Sequence, residues 1–201
     1  MFGSSAAVGN WFPPYDGPPA PVAEGIAAAI NRINEPALAE GGSLLSVTPI
    51  SAQGANVVVP SPFAEAERVR DICFDIATPA GYAVFDPQLA LLFDPAWRLE
   101  VRLMTGQYGD FPYATADVID QIVHRLSGDN GYVIAESALN TYIQTRRNSD
   151  DDYDVEYRAG GPDQHYATKA AGADAVAELV LAWCQGDPAP TRRYSWTKLE
   201  L

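Results

Sequence analysis

The stretch from Gly131 to Thr168 constrains the fold most. It carries four short alternating segments in succession, GYVIAE, NTYIQTR, YDVEYR and QHYAT. Turn-forming runs set them apart: SGDN precedes the first, NSDD follows the second and AGGPD follows the third. Such short connections leave no room for a crossover helix, so the segments predict an antiparallel meander. Helical patterns flank it. TADVIDQIVHRL places Val118, Ile119, Ile122, Val123 and Leu126 on one face. AGADAVAELVLAWCQGD turns Val176, Leu179, Val180 and Trp183 inward and has Gly186 just past its end. Upstream, RLEVRLM alternates as a strand and GQYGDFPYA reads as a loop. The tail TRRYSWTKLEL adds a short edge strand.

The first half follows a different pattern. Pro21 stands at a first helical turn, with Val22, Ile26, Ile30 and Ile33 recurring at helical steps. LLSVTPI and NVVV are predicted as two strands joined by SAQGA. SPFAEAERVRDICFDIA predicts a second helix, with Ser61 as N-cap, Pro62 at the first position, Glu65 and Glu67 at the positive end, and Ala66, Val69, Cys73 and Ile76 as its stripe. TPAG stops it, YAVFDP is a short buried strand, and QLALLFDPAW links the halves. The expected fold is therefore α+β. A small α-β-β-α-β N-terminal unit over residues 21–97 is packed with a C-terminal unit over residues 98–201, an antiparallel meander flanked by helices. An irregular Gly/Ser/Pro-rich arm, residues 1–20, precedes both. Within it, GSSAAVGN lacks the Gly-Lys-Ser/Thr ending and preceding strand of a phosphate loop.

Charge narrows the function classes. The formal net charge of −13 is spread along the chain: 4 Lys+Arg face 11 Asp+Glu in residues 1–100, and 9 face 15 in residues 101–201. Phosphate affinity rests on Lys and Arg, so this balance speaks against nucleic acid or an anionic membrane as partner and favours a basic protein surface. Cys73 and Cys184 sit within apolar helical patterns and make no disulfide framework. No basic-then-apolar leader opens the sequence and no apolar run spans a bilayer, so a cytoplasmic location is expected.

Acid is densest in RRNSDDDYDVEYRAGG, where five carboxylates fall within Asp150–Glu156. Strand alternation sets Tyr153, Val155 and Tyr157 on one face and Asp152, Asp154, Glu156 and Arg158 on the other. On the neighbouring strand, Thr141, Ile143 and Thr145 oppose Tyr142, Gln144 and Arg146. Asp150, Asp152 and Asp154 have the first spacing of a calcium loop, but Val155 and Gly161 stand where such a loop needs Gly and Glu. His124 and His165 lie in no recognisable catalytic motif, and no serine has a nucleophile-elbow setting. No catalytic, cofactor or metal residue is assigned. Tyr142, Gln144, Asp150, Asp151, Asp152, Asp154 and Glu156 are the candidate partner-binding residues, with carboxylates steering encounter and aromatics supplying contact area.

Two segments resemble known patterns. DIATPAGYAVFDPQ resembles a helix–strand ending of the A…GLVVYDPQ kind found in small bacterial proteins. NTYIQTRRNSDDDYDVEYRAGGPDQHYAT, followed by a helix and Trp196, resembles a YIQT…Y.VEYR.G….HY meander of bacterial proteins that look like immunity proteins of polymorphic toxin systems. The resemblance implies a non-enzymatic cytoplasmic inhibitor that covers the active site of a toxin domain, one presenting a basic cleft. Two rival readings are a small hydrolase using a carboxylate with His165, and a scaffold that self-associates through Trp11–Tyr15 and Tyr194–Trp196.

Overall fold

The computed structural model describes residues 17–189 and 191–200. The chain divides into two compact units between Tyr82 and Ala83, upstream of the Trp97/Arg98 junction expected from the sequence. The fold class is α+β, as expected: an N-terminal α/β unit, and a C-terminal antiparallel sheet flanked by helices.

In the first unit, helix α1 (Pro21–Ala39) begins on its proline and buries Ala23, Ile26, Ala27, Ile30 and Asn34. The stripe is rotated from the expected one, leaving Val22 and Ile33 exposed. Ala23 and Ala27 lie inward in their place, beside Ile26 and Ile30, and a search for bulky apolar residues overlooks such small side chains. The segment expected as a strand at residues 44–50 is irregular, although Leu44, Leu45 and Ile50 are buried. Two asparagines of α1 stand in for a strand partner. Asn31 donates to the Ile50 carbonyl (2.8 Å) and accepts from its N–H (2.9 Å), while Asn34 Oδ1 accepts from Leu44 N–H (2.7 Å). Buried backbone groups need partners, and here side-chain amides provide them. The hairpin itself is shorter than expected, β1 (Ala52–Gln53) with β2 (Asn56–Val57). Helix α2 (Ala66–Ala77) is preceded by a 3₁₀ turn, Phe63–Glu65, so Ser61 does not cap it. It buries Val69, Phe74 and Ala77, with Cys73 and Ile76 half-buried.

The second unit opens with a hairpin, β3 (Val84–Asp86) and β4 (Leu91–Phe93). Phe93 stacks on Phe111 at 4.8 Å and meets Tyr113 edge-on at 6.0 Å, and the buried Tyr113 hydroxyl donates to the Phe93 carbonyl (3.0 Å). The main sheet then follows from β5 (Arg102–Thr105), β6 (Gly109–Phe111), β7 (Tyr132–Ala138), β8 (Thr141–Ser149), β9 (Asp152–Ala159), β10 (His165–Ala170) and β11 (Thr197–Lys198). All neighbours are antiparallel, in the order β11-β10-β9-β8-β7-β5-β6. Strand β6 lies in the stretch expected as a loop. The Thr105 hydroxyl closes a tight turn there, donating to Gly109 O (3.0 Å) and accepting from Tyr108 N–H (2.8 Å), and the turn delivers Phe111 to the core.

Helices α3 (Ala116–Arg125) and α4 (Ala173–Cys184) carry the apolar faces read from the sequence. Val118, Ile119, Ile122, Val123, Leu126, Val176, Leu179 and Val180 are buried, and Trp183 is half-buried. Thr115 caps α3 by accepting from Val118 N–H (3.2 Å). His124 joins the two helices, with Nδ1 2.8 Å from Asp120 O and Nε2 3.0 Å from Asp174 Oδ1. Both partners are acceptors, so both bonds coexist only on a protonated ring. The Asp120 carbonyl and then the Asp174 carboxylate raise the His124 pKa, against the opposing effect of burial.

Gly106 shows how closely the sheet is packed at its β5–β6 turn. A Cβ there would lie 2.4 Å from the Asn130 carbonyl oxygen and 2.5 Å from the Tyr132 ring. Gly161 has an extended φ of −145° and open space around its Cα. Gly106→Ala is therefore expected to cost about 1–3 kcal/mol by overpacking, and Gly161→Ala much less. Urea unfolding of the two variants checks this; equal midpoints would contradict it.

Candidate functional site

The meander sorts its side chains by strand period. Ile143 and Thr145 of β8 and Tyr153 and Val155 of β9 are buried on one face. Their neighbours form three rows across β7–β8–β9–β10 on the other: Tyr132–Arg146–Asp154–Lys169, Ile134–Gln144–Glu156–Ala167 and Glu136–Tyr142–Arg158–His165. Tyr132, Arg146 and Lys169 are exposed there. The register thus brings four of the candidate residues, Tyr142, Gln144, Asp154 and Glu156, onto one surface, and Asp152 points the same way by strand period.

Most of these carboxylates already have partners within the chain. Asp154 accepts from Asn148 Nδ2 (2.8 Å) and pairs with Lys169 Nζ (2.9 Å), which also reaches Asp152 at 3.0 Å. Glu156 Oε2 accepts from Gln144 Nε2 (2.7 Å) and lies 3.1 Å from His165 Nε2. In the turn, Asp150 is held by Arg147 Nη2 at 2.5 Å. Arg147 also donates through Nη1 to Leu126 O (2.5 Å), at the end of α3, where a cation suits the helix dipole. Asp151 is exposed at the tip. The calcium-like triple of Asp150, Asp152 and Asp154 is thus divided between Arg147 and Lys169. Among the described residues no group of three or more His, Cys, Asp or Glu side chains could hold a metal.

A cleft of about 280 Å³ opens on this face. Tyr132 and Ile134 give it apolar wall, and Asp129, Asp154 and Glu156 line it with carboxylate against the one cation, Arg146. Asp129, Tyr132 and Ile134 were not among the candidate residues. The signal for two of them was present, since the alternation in GYVIAE puts Tyr132, Ile134 and Glu136 on a shared face. His165 stands at the first position of β10, and its ring meets that of Tyr142 edge-on at 6.0 Å. Only 6% of His165 is exposed. At the far end of the chain, Trp196 packs edge-on against Tyr157 at 4.7 Å and donates to Thr191 O (2.8 Å), so it is engaged within its own unit. Trp11, Phe12 and Tyr15 lie outside the described residues.

Compared with protein-family models, curated proteins and solved structures, the chain matches none.

The Asn148 amide, then the Lys169 ammonium, hold Asp154 below its ordinary value of 3.8. A carboxyl depressed in the folded state stabilises above its unfolded pKa, and that contribution is lost as pH falls through the folded one. A carboxyl NMR titration of Asp154 is expected to give a midpoint below 3.8, moving upward in Asn148→Ala and in Lys169→Met. Unchanged midpoints in both variants would refute the assignment.

Proposed function

We propose that this chain acts by binding another protein, and that the open face of β7–β10 receives a basic surface of that partner. The observation that carries the reading is the cleft, where three carboxylates stand beside Tyr132 and Ile134. Aromatic and aliphatic wall supplies contact area, and the acids supply direction. A net charge of −13 extends the attraction beyond the contact itself and speeds encounter with a cationic partner. Within the hairpin, Asp154 and Glu156 are the central residues, because both line the cleft, whereas Asp150 stands in the turn and is not among its lining residues. The immunity-protein resemblance of the same meander makes a toxin domain the partner class, with the chain acting as its cytoplasmic neutraliser.

The hydrolase reading draws on one specific contact, the 3.1 Å approach of His165 to Glu156. Burial weighs against it, since a ring 6% exposed is closed to a bulky substrate. The pair serves the binding reading better. Together with Gln144, His165 orients the Glu156 carboxylate from behind, as supporting hydrogen bonds do in preorganised sites.

Capture from a lysate of the source organism, at low and at high salt, tests the proposal. The expected result is a basic domain retained at low salt that arrests growth when expressed alone and is harmless when co-expressed with this chain. The Asp129→Lys/Asp154→Asn variant should weaken binding of that domain about tenfold or more, each lost tenfold being about 1.4 kcal/mol. Undiminished affinity in a folded variant, or a captured domain without toxicity, would sink the reading.

A further inference from the structure

Helix α4 begins without a side-chain cap. Gly172 stands at its N-cap, where Ser, Thr, Asp or Asn would supply an acceptor, and the Val176 N–H makes a long bond to the Gly172 carbonyl (3.3 Å). Asp174 is the acid of that first turn, and its side chain is fully exposed. It reaches across to α3, with Oδ1 3.0 Å from His124 Nε2. His124 lies in the last turn of α3, so the contact joins the negative end of one helix dipole to the positive end of the other. An imidazolium suits the first end and a carboxylate the second. On the far side of the ring, Nδ1 is 2.8 Å from the Asp120 carbonyl and 3.5 Å from the Asp120 carboxylate. Among the described residues no other charged group acts on the ring. Arg125 is drawn to Leu89 O and Gln121 Oε1, both at 2.6 Å, and Glu178 to Arg193 at 3.0 Å. Strand β4, which also packs against α3, carries no titratable side chain.

Every polar neighbour of the ring is therefore an acceptor. An imidazolium donates on both sides at once, whereas a neutral ring has one proton for two sides. With that proton on Nδ1, a bare lone pair faces Asp174. With it on Nε2, the bond to Asp174 survives without its charge and the Asp120 side is lost. Either way the attraction between the two helix ends weakens. We propose that His124 is a proton-operated clasp on the first turn of α4, closed at acidic pH and released as pH rises. The Asp120 carbonyl, and then the Asp174 carboxylate, raise the His124 pKa above its ordinary value of 6.5 against the opposing effect of burial. A raised value in the folded chain means that the stabilisation is fully present below the ordinary value and is lost as pH rises through the folded one. None of the clasp residues lines the acidic cleft, so this device is independent of the partner reading.

Two measurements on the whole chain test the clasp, ring ¹⁵N NMR of His124 and amide hydrogen exchange at Val176, each followed from about pH 5.5 to about pH 8.5. The ring is expected to titrate above 6.5. Val176 protection, corrected for the intrinsic rate, should fall about two- to fivefold across that midpoint. Val180, further along the same helix, should change less. Asp174→Asn is expected to lower the His124 midpoint, and His124→Gln to leave Val176 protection flat with pH. Both side chains are exposed, so neither change threatens the fold. A midpoint at or below 6.5, a midpoint unmoved by Asp174→Asn, Val176 protection that does not fall with rising pH, or the same fall in His124→Gln would each overturn the proposal.

Discussion

The pairing of β8 with β9 is the constraint on which the second unit depends. With Thr145 opposite Val155 and Ile143 opposite Tyr157, the apolar side chains of both strands share one face. The same register sets Gln144 opposite Glu156 and Arg146 opposite Asp154 on the other side. A slip of one residue would exchange the two faces, burying Asp154 and Glu156 and exposing Ile143 and Val155. The cost of burying unpaired carboxylates is far larger than that of any exposed ion pair, so the register is specified by the core and the open face inherits it. The dense acid of the hairpin therefore has a structural role whatever it binds: it marks which side of the ribbon stays in water.

Local polar contacts then secure what the register establishes. Arg147 reaches from the hairpin to the Leu126 carbonyl and pins the ribbon to the end of α3. Lys169 crosses from β10 to Asp152 and Asp154, and His165 with Gln144 fixes Glu156. These contacts reduce the number of carboxylates left unpaired on this face. What stays open is a narrower surface around the cleft, with Asp129 added from the loop before β7. A surface held in this way would lose fewer conformations in the binding proposed for it.

Much of this was legible from the sequence, for identifiable reasons. The four meander strands follow from period-two alternation between turn residues, and α3 and α4 from helical spacing of Val, Ile and Leu. Both periods reflect burial of one face, so the pattern and the packing share a cause. The unread parts lack that link. Segment 44–50 departs from the expected strand because Asn31 and Asn34 replace a strand partner, and contacts between distant positions leave no local periodicity. Strand β6 was hidden by glycines at 106 and 109, which the turn requires but which read as loop. The nearness of His165 to Glu156 depends on the β9–β10 register, and the captured state of Asp150 on the position of Arg147. Neither is a property of spacing along the chain.

The most direct test of the account is urea unfolding of Ile143→Lys against Gln144→Lys, two adjacent residues given the same charge. The register places the first in the core and the second beside Glu156 on the open face. Ile143→Lys is expected to lose at least about 3 kcal/mol or fail to fold, and Gln144→Lys to stay within about 1 kcal/mol of the parent chain. Equal losses, or a larger loss at Gln144, would mean that the faces are assigned wrongly and the open surface is not where the register puts it.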